Sequence, residues 1–299
     1  MSRVLIEILS RSLGDTVASI PYVERYREFS GDQIFLKIND SFSFLFRDSY
    51  PNINLISEGE EVSFDKRINL EYVHKYAVQE GYARQLGFID YKYIRPVINF
   101  LPGERPIKNK YVAIGIHSTS QLKYWNHPSG IKSQINSPYW DELCGMIRKK
   151  GYTPVVVEHH ELFGFPPHFN GMPSKSNKKF GQSLKESLNL IHHSEFYIGL
   201  SSGMTWVAHA MGKKVAMISN FTEDWNEFDL NSPDYKRITN KSSCHGCWNR
   251  INLDFKFDPN DWYWCPRHKG TERQFECHTS ITPEAVFDEI KEWLFDINK

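Results

Sequence analysis

Two periods alternate along this chain. Short apolar runs at residues 4–10, 33–38, 111–117, 153–158, 195–200 and 214–218 have the length and β-branched content of strands. Amphipathic stretches of helical length lie between them. The first run passes through Ser12-Leu13-Gly14 into a predicted helix that reaches about residue 29. Residues 50–56 predict a turn and a short strand. Over 72–86, Val73, Tyr76, Ala77, Ala83 and Leu86 fall at helical spacing. The stretch 94–110 breaks the pattern with Pro96, Pro102, Gly103 and Pro106, as a linker would. Beyond it the alternation restarts, with helices predicted at 139–150 (closed by Gly151), 184–193, 203–211 (closed by Gly212) and 283–296. The last has Thr282 as N-cap and Pro283 at its first position. Strands alternating with helices predict parallel sheets, so the expected class is α/β with two facing, doubly wound domains. The expected boundaries are 1–105 and 106–299.

Composition adds exclusions. Thirty-six basic residues balance 36 acidic ones, so the chain has no overall electrostatic footprint for nucleic acid, although a local basic groove stays open. No apolar run reaches the roughly 18–20 residues that span a bilayer. The N-terminus offers a basic residue and then apolar ones, but Glu7 interrupts them and no small-residue cleavage site follows. It reads as a buried first strand, and the expected compartment is cytoplasmic. Aromatics make up 14% of the chain, with eight Trp, which suits stacking on sugars or bases as well as a large aromatic core.

Candidate chemistry gathers just past the strands, where open α/β sheets bind ligands. In Ser12-Leu13-Gly14-Asp15-Thr16, Gly14 lets a ligand approach the backbone. Asp15 is placed either as a general base for an acceptor hydroxyl or as a helix N-cap. In Gly199-Leu200-Ser201-Ser202-Gly203-Met204-Thr205, hydroxyl residues precede a helix N-terminus, which fits a diphosphate or an ordinary capped turn. In Gly115-Ile116-His117-Ser118-Thr119-Ser120-Gln121-Leu122-Lys123, Lys123 is either a cation for a leaving diphosphate or a solvated lysine. In Ser219–Phe228, Trp225 can stack on a base or simply pack, and polar groups such as Glu227 can read the base edge. No Asp-x-Asp pair stands ready on a loop to hold a catalytic metal.

The sharpest local signal is Cys244-His245-Gly246-Cys247 followed by Cys265 and Cys277. Four of the five cysteines therefore cluster near the C-terminus, and Cys144 stands apart. A CxxC turn sets two thiolates on one ion, and two more complete a tetrahedral shell for zinc or a single iron. His245, His268 and His278 are close enough in sequence to replace one ligand. Reduced cysteines in a core are the alternative.

Taken in order, SLGDTVASIPYVERYRE, YPNINLI, GIHSTSQLKYWN, YIGLSSGMTWVAHAMGKKVAMISNFTEDWNEF, CHGCWN, DWYWCPRHKGTERQFEC and ITPE cover nearly the whole chain. Together they resemble the bacterial ADP-heptose transferases, and most closely the branch that O-glycosylates autotransporter adhesins. The resemblance implies a GT-B fold and an inverting mechanism without a catalytic metal. It implies Asp15 as the acceptor-side base, Lys123 on the donor phosphates, and Ser202, Gly203, Met204 and Thr205 around the diphosphate. Gly14, Thr16, Ser118, Ser201, Trp225 and Glu227 complete the candidate donor-binding set. Cys244, Cys247, Cys265 and Cys277 would hold structural iron, with zinc as the alternative, and members assemble into rings. Members of that branch carry an extra N-terminal domain, which this chain is expected to lack.

The expected function is therefore transfer of a sugar, heptose from an ADP-linked donor, to a hydroxyl acceptor, with protein Ser or Thr favoured. Two rivals stand beside it. One is the same fold acting on a glycan or on a hydroxylated DNA base. The other is a sugar-nucleotide-binding module without turnover.

Overall fold

The structure, a computed structural model, describes all residues except 119–122, 128–136, 161–162, 166–167, 180 and 296–299. Part of the loop before Lys123 thus lies outside the described residues. The N-terminal half opens with β1 (Arg3–Ile8), α1 (Leu13–Ser30) and β2 (Gln33–Lys37). It continues with α2 (Phe44–Arg47), β3 (Asn54–Ile56), β4 (Lys66–Leu70) and α3 (Val78–Gln85). All four strands run parallel, in the order β3-β2-β1-β4.

Residues 86–110 carry no helix or strand. The chain then lays down β5 (Tyr111–Gly115), α4 (Pro138–Lys149), β6 (Thr153–Val157), the hairpin β7 (Phe163–Phe165) and β8 (His168–Asn170), and β9 (Asn177–Lys179). Next come α5 (Leu184–His193), β10 (Tyr197–Leu200), α6 (Gly203–Ala210), β11 (Val215–Ile218) and β12 (Tyr235–Ile238). A short 3-10 turn (Trp248–Arg250), α7 (Glu276–Thr279) and α8 (Pro283–Phe295) follow. The second sheet is also parallel, in the order β12-β11-β10-β5-β6-β9.

Central strands are sandwiched by helices, so they read as unbroken apolar runs such as YVAIG and TPVVV, which are almost wholly buried. The helix ends follow their local chemistry. Gly31 closes α1 in the left-handed region at φ 70° and donates to Arg27 O at 2.9 Å. Ser183 and Glu186 form a reciprocal capping box on α5. Thr282 Oγ1 accepts from Ala285 N at 3.2 Å at the start of α8.

Strand order decides where ligands can enter. In the second sheet β5 lies between β6 and β10, so chain connections leave β5 and β10 in opposite directions. The crevice above such a reversal is the binding position of open α/β sheets. Similarly, β1 is flanked by β2 and β4 in the first sheet. The loops after β1, β5, β10 and β11 carry the candidate chemistry. The predicted helix over 72–86 begins only at Val78. Residues before it turn at 74–76, where Tyr76 N donates to Val73 O at 3.2 Å, and lie between the halves, held there by tertiary contacts described below.

Candidate active site

A cavity of about 490 Å³ lies between the two halves. The β1–α1 turn contributes Ser10, Ser12, Leu13, Gly14 and Asp15. The segment before α3 contributes Tyr72 and His74, and the first helical residue of α3 contributes Val78. The opposite wall holds Ser118, Lys123, Ser201, Ser202, Gly203 and Trp206, with Thr222, Asn226, Glu227, Trp248 and Phe257 beyond. Asp15 and the turn at Gly203 therefore face one crevice.

The halves meet where α1 and α6 begin. A Cβ on Gly14 would lie 3.2 Å from Gly203 Cα, and a Cβ on Gly203 would lie 3.1 Å from Gly14 N. Both positions favour glycine, because backbone meets backbone there and a side chain would force a shift of a few tenths of an ångström. Asp15 is not the N-cap of α1. Ser12 is: its Oγ accepts from Asp15 N at 3.2 Å and donates to Asp15 Oδ2 at 2.9 Å. Asp15 thus sits in the first turn with its carboxylate oriented by the cap.

Lys123 is half-buried. Its Nζ lies 5.1 Å from the Trp248 ring centroid and 5.5 Å from that of Phe221. Burial pulls its pKa down, and the charges of Asp15 and Glu227 work the other way. Glu227 is fully enclosed. It accepts from Ser201 Oγ at 2.8 Å, from Thr222 Oγ1 at 3.1 Å and from Arg237 at 2.5 Å. Burial opposes the Arg237 charge, but Glu227 outweighs it and raises the pKa. This ion pair ties the Ser201 turn to β12.

Four of the predicted donor-binding residues do not line the cavity. Thr16 turns its hydroxyl back to Ser12 O at 2.8 Å, and Thr205 turns its own to Leu200 O at 2.5 Å. Met204 packs against the core. Trp225 is 46% exposed, and the indoles in the wall are Trp206 and Trp248 instead.

Tyr72, His74, Trp248 and Phe257 escaped sequence reasoning. Trp248 Nε1 donates to Tyr72 Oη at 3.1 Å, and Asn249 donates to His74 O at 2.8 Å. These bonds bind the segment before α3 to the C-terminal half and hold it out of the helix. The sequence signal was present in Trp248, which directly follows Cys247.

The four clustered cysteines line one small cavity with Phe221, His268, Arg273, Phe275 and Glu276. Cys244 Sγ and Cys247 Sγ are 3.9 Å apart. The edge of a tetrahedral shell with metal–sulfur bonds of ~2.3 Å is about 3.8 Å, so this pair fits a metal. Gly246 is needed in the turn: its φ is +70°, and a Cβ would collide with the Glu223 carboxylate. Hydrogen bonding from Cys247 pulls the Cys244 thiol down, with Arg267 and His268 adding to the effect. Burial and the neighbouring sulfurs push Cys277 well up. Among the described residues the set of metal-ligating side chains whose ligand atoms all lie within 4.8 Å of one another is Cys244, His268 and Glu276, not the four cysteines expected from sequence. Cys144 is a buried core residue, its thiol pushed up to about 12 by burial.

No protein-family model matches the chain. The autotransporter heptosyltransferase Aah of Escherichia coli is 32% identical over 298 residues, spanning 95% of this chain and 72% of that protein. The crystal structure of TibC from enterotoxigenic E. coli, an iron-containing dodecameric glycosyltransferase, matches with a TM-score of 0.85 at 28% identity. The match covers 97% of this chain and 75% of that one. A second TibC structure, in complex with ADP-D-β-D-heptose, matches with the same TM-score of 0.85 at 27% identity, covering 97% and 76%. BimC of Burkholderia thailandensis, named an inactive autotransporter heptosyltransferase, is 26% identical over 305 residues, spanning 95% of this chain and 67% of that protein.

Proposed function

The chain belongs to the autotransporter heptosyltransferases, and on that premise we propose that it transfers heptose from ADP-heptose to a hydroxyl of a protein acceptor, with inversion. One observation carries the reading: Asp15 and the start of α6 face the same cavity across the Gly14–Gly203 contact. In this mechanism the acceptor hydroxyl enters on the α1 side. Asp15 takes its proton as the oxygen attacks the anomeric carbon. The bond to the diphosphate breaks on the opposite face, which accounts for inversion. The departing charge is received by the free N–H groups at the start of α6, by Ser201 and Ser202, and by the Lys123 ammonium. A lysine and a helix N-terminus supply that stabilisation without a catalytic metal. Closure of the halves would keep water from the donor.

The cysteine cavity would hold iron through Cys244, Cys247, Cys265 and Cys277. Glu276 is the weaker ligand candidate because Arg273 already engages both its oxygens, at 2.6 and 2.7 Å. A closed sulfur shell leaves no open coordination position, so the ion's contribution is to fold stability.

The test uses purified protein, ADP-heptose and serine-rich passenger segments of autotransporters, read by intact mass. A heptosyl increment on the segment is expected. Binding of ADP-heptose without transfer to any hydroxyl, and without its slow hydrolysis, would instead leave a sugar-nucleotide-binding module, the condition suggested by the name of BimC.

A further inference from the structure

Lys123 has no acceptor for its ammonium among the described residues, yet it is not loose. Its partners are two aromatic rings, and both pack in the cluster around the cysteines. Phe221 lines the cysteine cavity itself. Trp248 is the residue after Cys247, and its backbone N–H donates to Phe221 O at 3.0 Å. One position earlier, Gly246 N donates to Asn220 O at 3.1 Å. The turn after β11 and the CxxC turn are thus zipped together, and their rings emerge side by side beneath the lysine. The far edge of Trp248 is fixed as well, because its Nε1 donates to Tyr72 of the other half.

We propose that Phe221 and Trp248 are positioning residues that hold the Lys123 ammonium over the donor-diphosphate site, so that the cysteine knuckle orders the cation as well as the fold. This rests on the reading of Lys123 as the diphosphate cation. A long, unpaired lysine samples many rotamers, and ordering it on binding would weaken affinity. Ring faces attract the ammonium without supplying a negative charge to pair with it, so its charge is left for the diphosphate. A carboxylate in the same place would compete with the phosphate oxygens.

The experiment is a double-mutant cycle on ADP binding, measured by calorimetry with the full-length, metal-loaded protein. Trp248→Leu keeps an apolar side chain but removes the π face. Trp248→Phe keeps a face and loses the bond to Tyr72. Trp248→Leu is expected to weaken ADP roughly fivefold to tenfold, the scale of a cation–π contact between the exposed and desolvated extremes, and Trp248→Phe by less than half as much on a logarithmic scale. In a Lys123→Met background, which itself weakens ADP, Trp248→Leu is expected to have no further effect. Should Trp248→Leu fail to fold, Phe221→Leu is put through the same cycle. An equal loss in the Lys123→Met background overturns the proposal, since the ring would then act on the pocket and not on the lysine. ADP binding that Lys123→Met leaves unchanged would overturn the diphosphate role of Lys123, and this proposal with it.

Discussion

Helices α1 and α6 meet start to start at the cavity, yet their first turns are built differently. In α1 the cap is closed: Ser12 satisfies Asp15 N and in the same motion orients the Asp15 carboxylate. In α6 the residue in the cap position, Ser202, makes no capping bond, and its Oγ lies 3.3 Å from Thr205 Oγ1 instead. One helix start is satisfied internally and presents a negative group. The other leaves its N–H groups and positive dipole end for an incoming anion. In the proposed mechanism the same structural device would serve a proton acceptor on one wall and a phosphate cradle on the other.

The comparison is broken most severely at its negative end. Asp15→Ala is expected to lower turnover by roughly a hundredfold to ten-thousandfold, the usual contribution of a general base. ADP-heptose affinity should hold within a few-fold, because the proposed donor site lies on the α6 side. Steady-state kinetics with calorimetry separate the two, and turnover within a few-fold of the unmodified enzyme would remove Asp15 as the base.

Next comes the contact itself. Gly203→Ala puts a methyl 3.1 Å from Gly14 N and 3.3 Å from Leu13 Cβ. Backbone cannot step aside as a flexible side chain can. The variant is expected to lose about 1–3 kcal/mol in denaturant unfolding and to weaken ADP in parallel. Gly14→Ala meets Gly203 Cα at 3.2 Å and should behave alike. Unchanged stability in both would mean that the halves separate freely and that their apposition is not needed.

At its far end α6 carries a third contrast. His209 is buried against Phe228, its ring centroid 4.4 Å away, and burial pulls its pKa down to about 3, with Arg95 adding to the effect. Its folded pKa lies below the unfolded value of ~6.5, so the neutral ring is favoured in the native state. The associated stability is complete above about pH 6.5 and is lost as pH falls towards 3, on the order of 2 kcal/mol by pH 5. Glu158, raised to about 7 by burial, works oppositely: it favours the folded state when protonated and withdraws that support as pH rises between about 4.5 and 7. His209→Leu should therefore flatten the acid limb of the stability profile. An unchanged limb would assign acid sensitivity to other groups.

How legible all this was in sequence follows the same physics. The strands read correctly were β1, β2, β3, β5, β6, β10 and β11, nearly all of them covered on both faces. The missed ones, β4 (KRINL), β9 (NKK), β12 (YKRI) and the two-stranded β7–β8 hairpin, all lack a strand neighbour on one side. Edge strands carry charge, which hides them among loops. Asp15, Gly203 and Lys123 were visible as candidates because they stand just past strong strands, and all three line the one cavity. Thr16 and Thr205 shared those motifs, but sequence could not show that their hydroxyls turn back onto the backbone. Tyr72 and His74 were hidden inside an apparent helical period, which contacts from Trp248 and Asn249 override. The four cysteines were visible as a set. That their turn also supplies a wall of the cavity depends on the fold of residues 219–249.

The smallest expected effect tests the comparison most directly, because it uses the same substitution at both helix starts. Ser12→Ala removes a real cap and should cost about 1 kcal/mol of stability. It also releases the Asp15 carboxylate, so turnover should drop several-fold more than donor affinity does. Ser202→Ala removes no capping bond, and stability should stay within about 0.5 kcal/mol. Its effect should appear as a few-fold loss of ADP affinity, since a hydroxyl in the cavity wall is taken from the phosphate side. Thermal unfolding and ADP titration of the two variants decide the matter. If Ser202→Ala proves as destabilising as Ser12→Ala, with ADP affinity intact, then α6 is capped in solution, and its N–H groups are not open for a diphosphate.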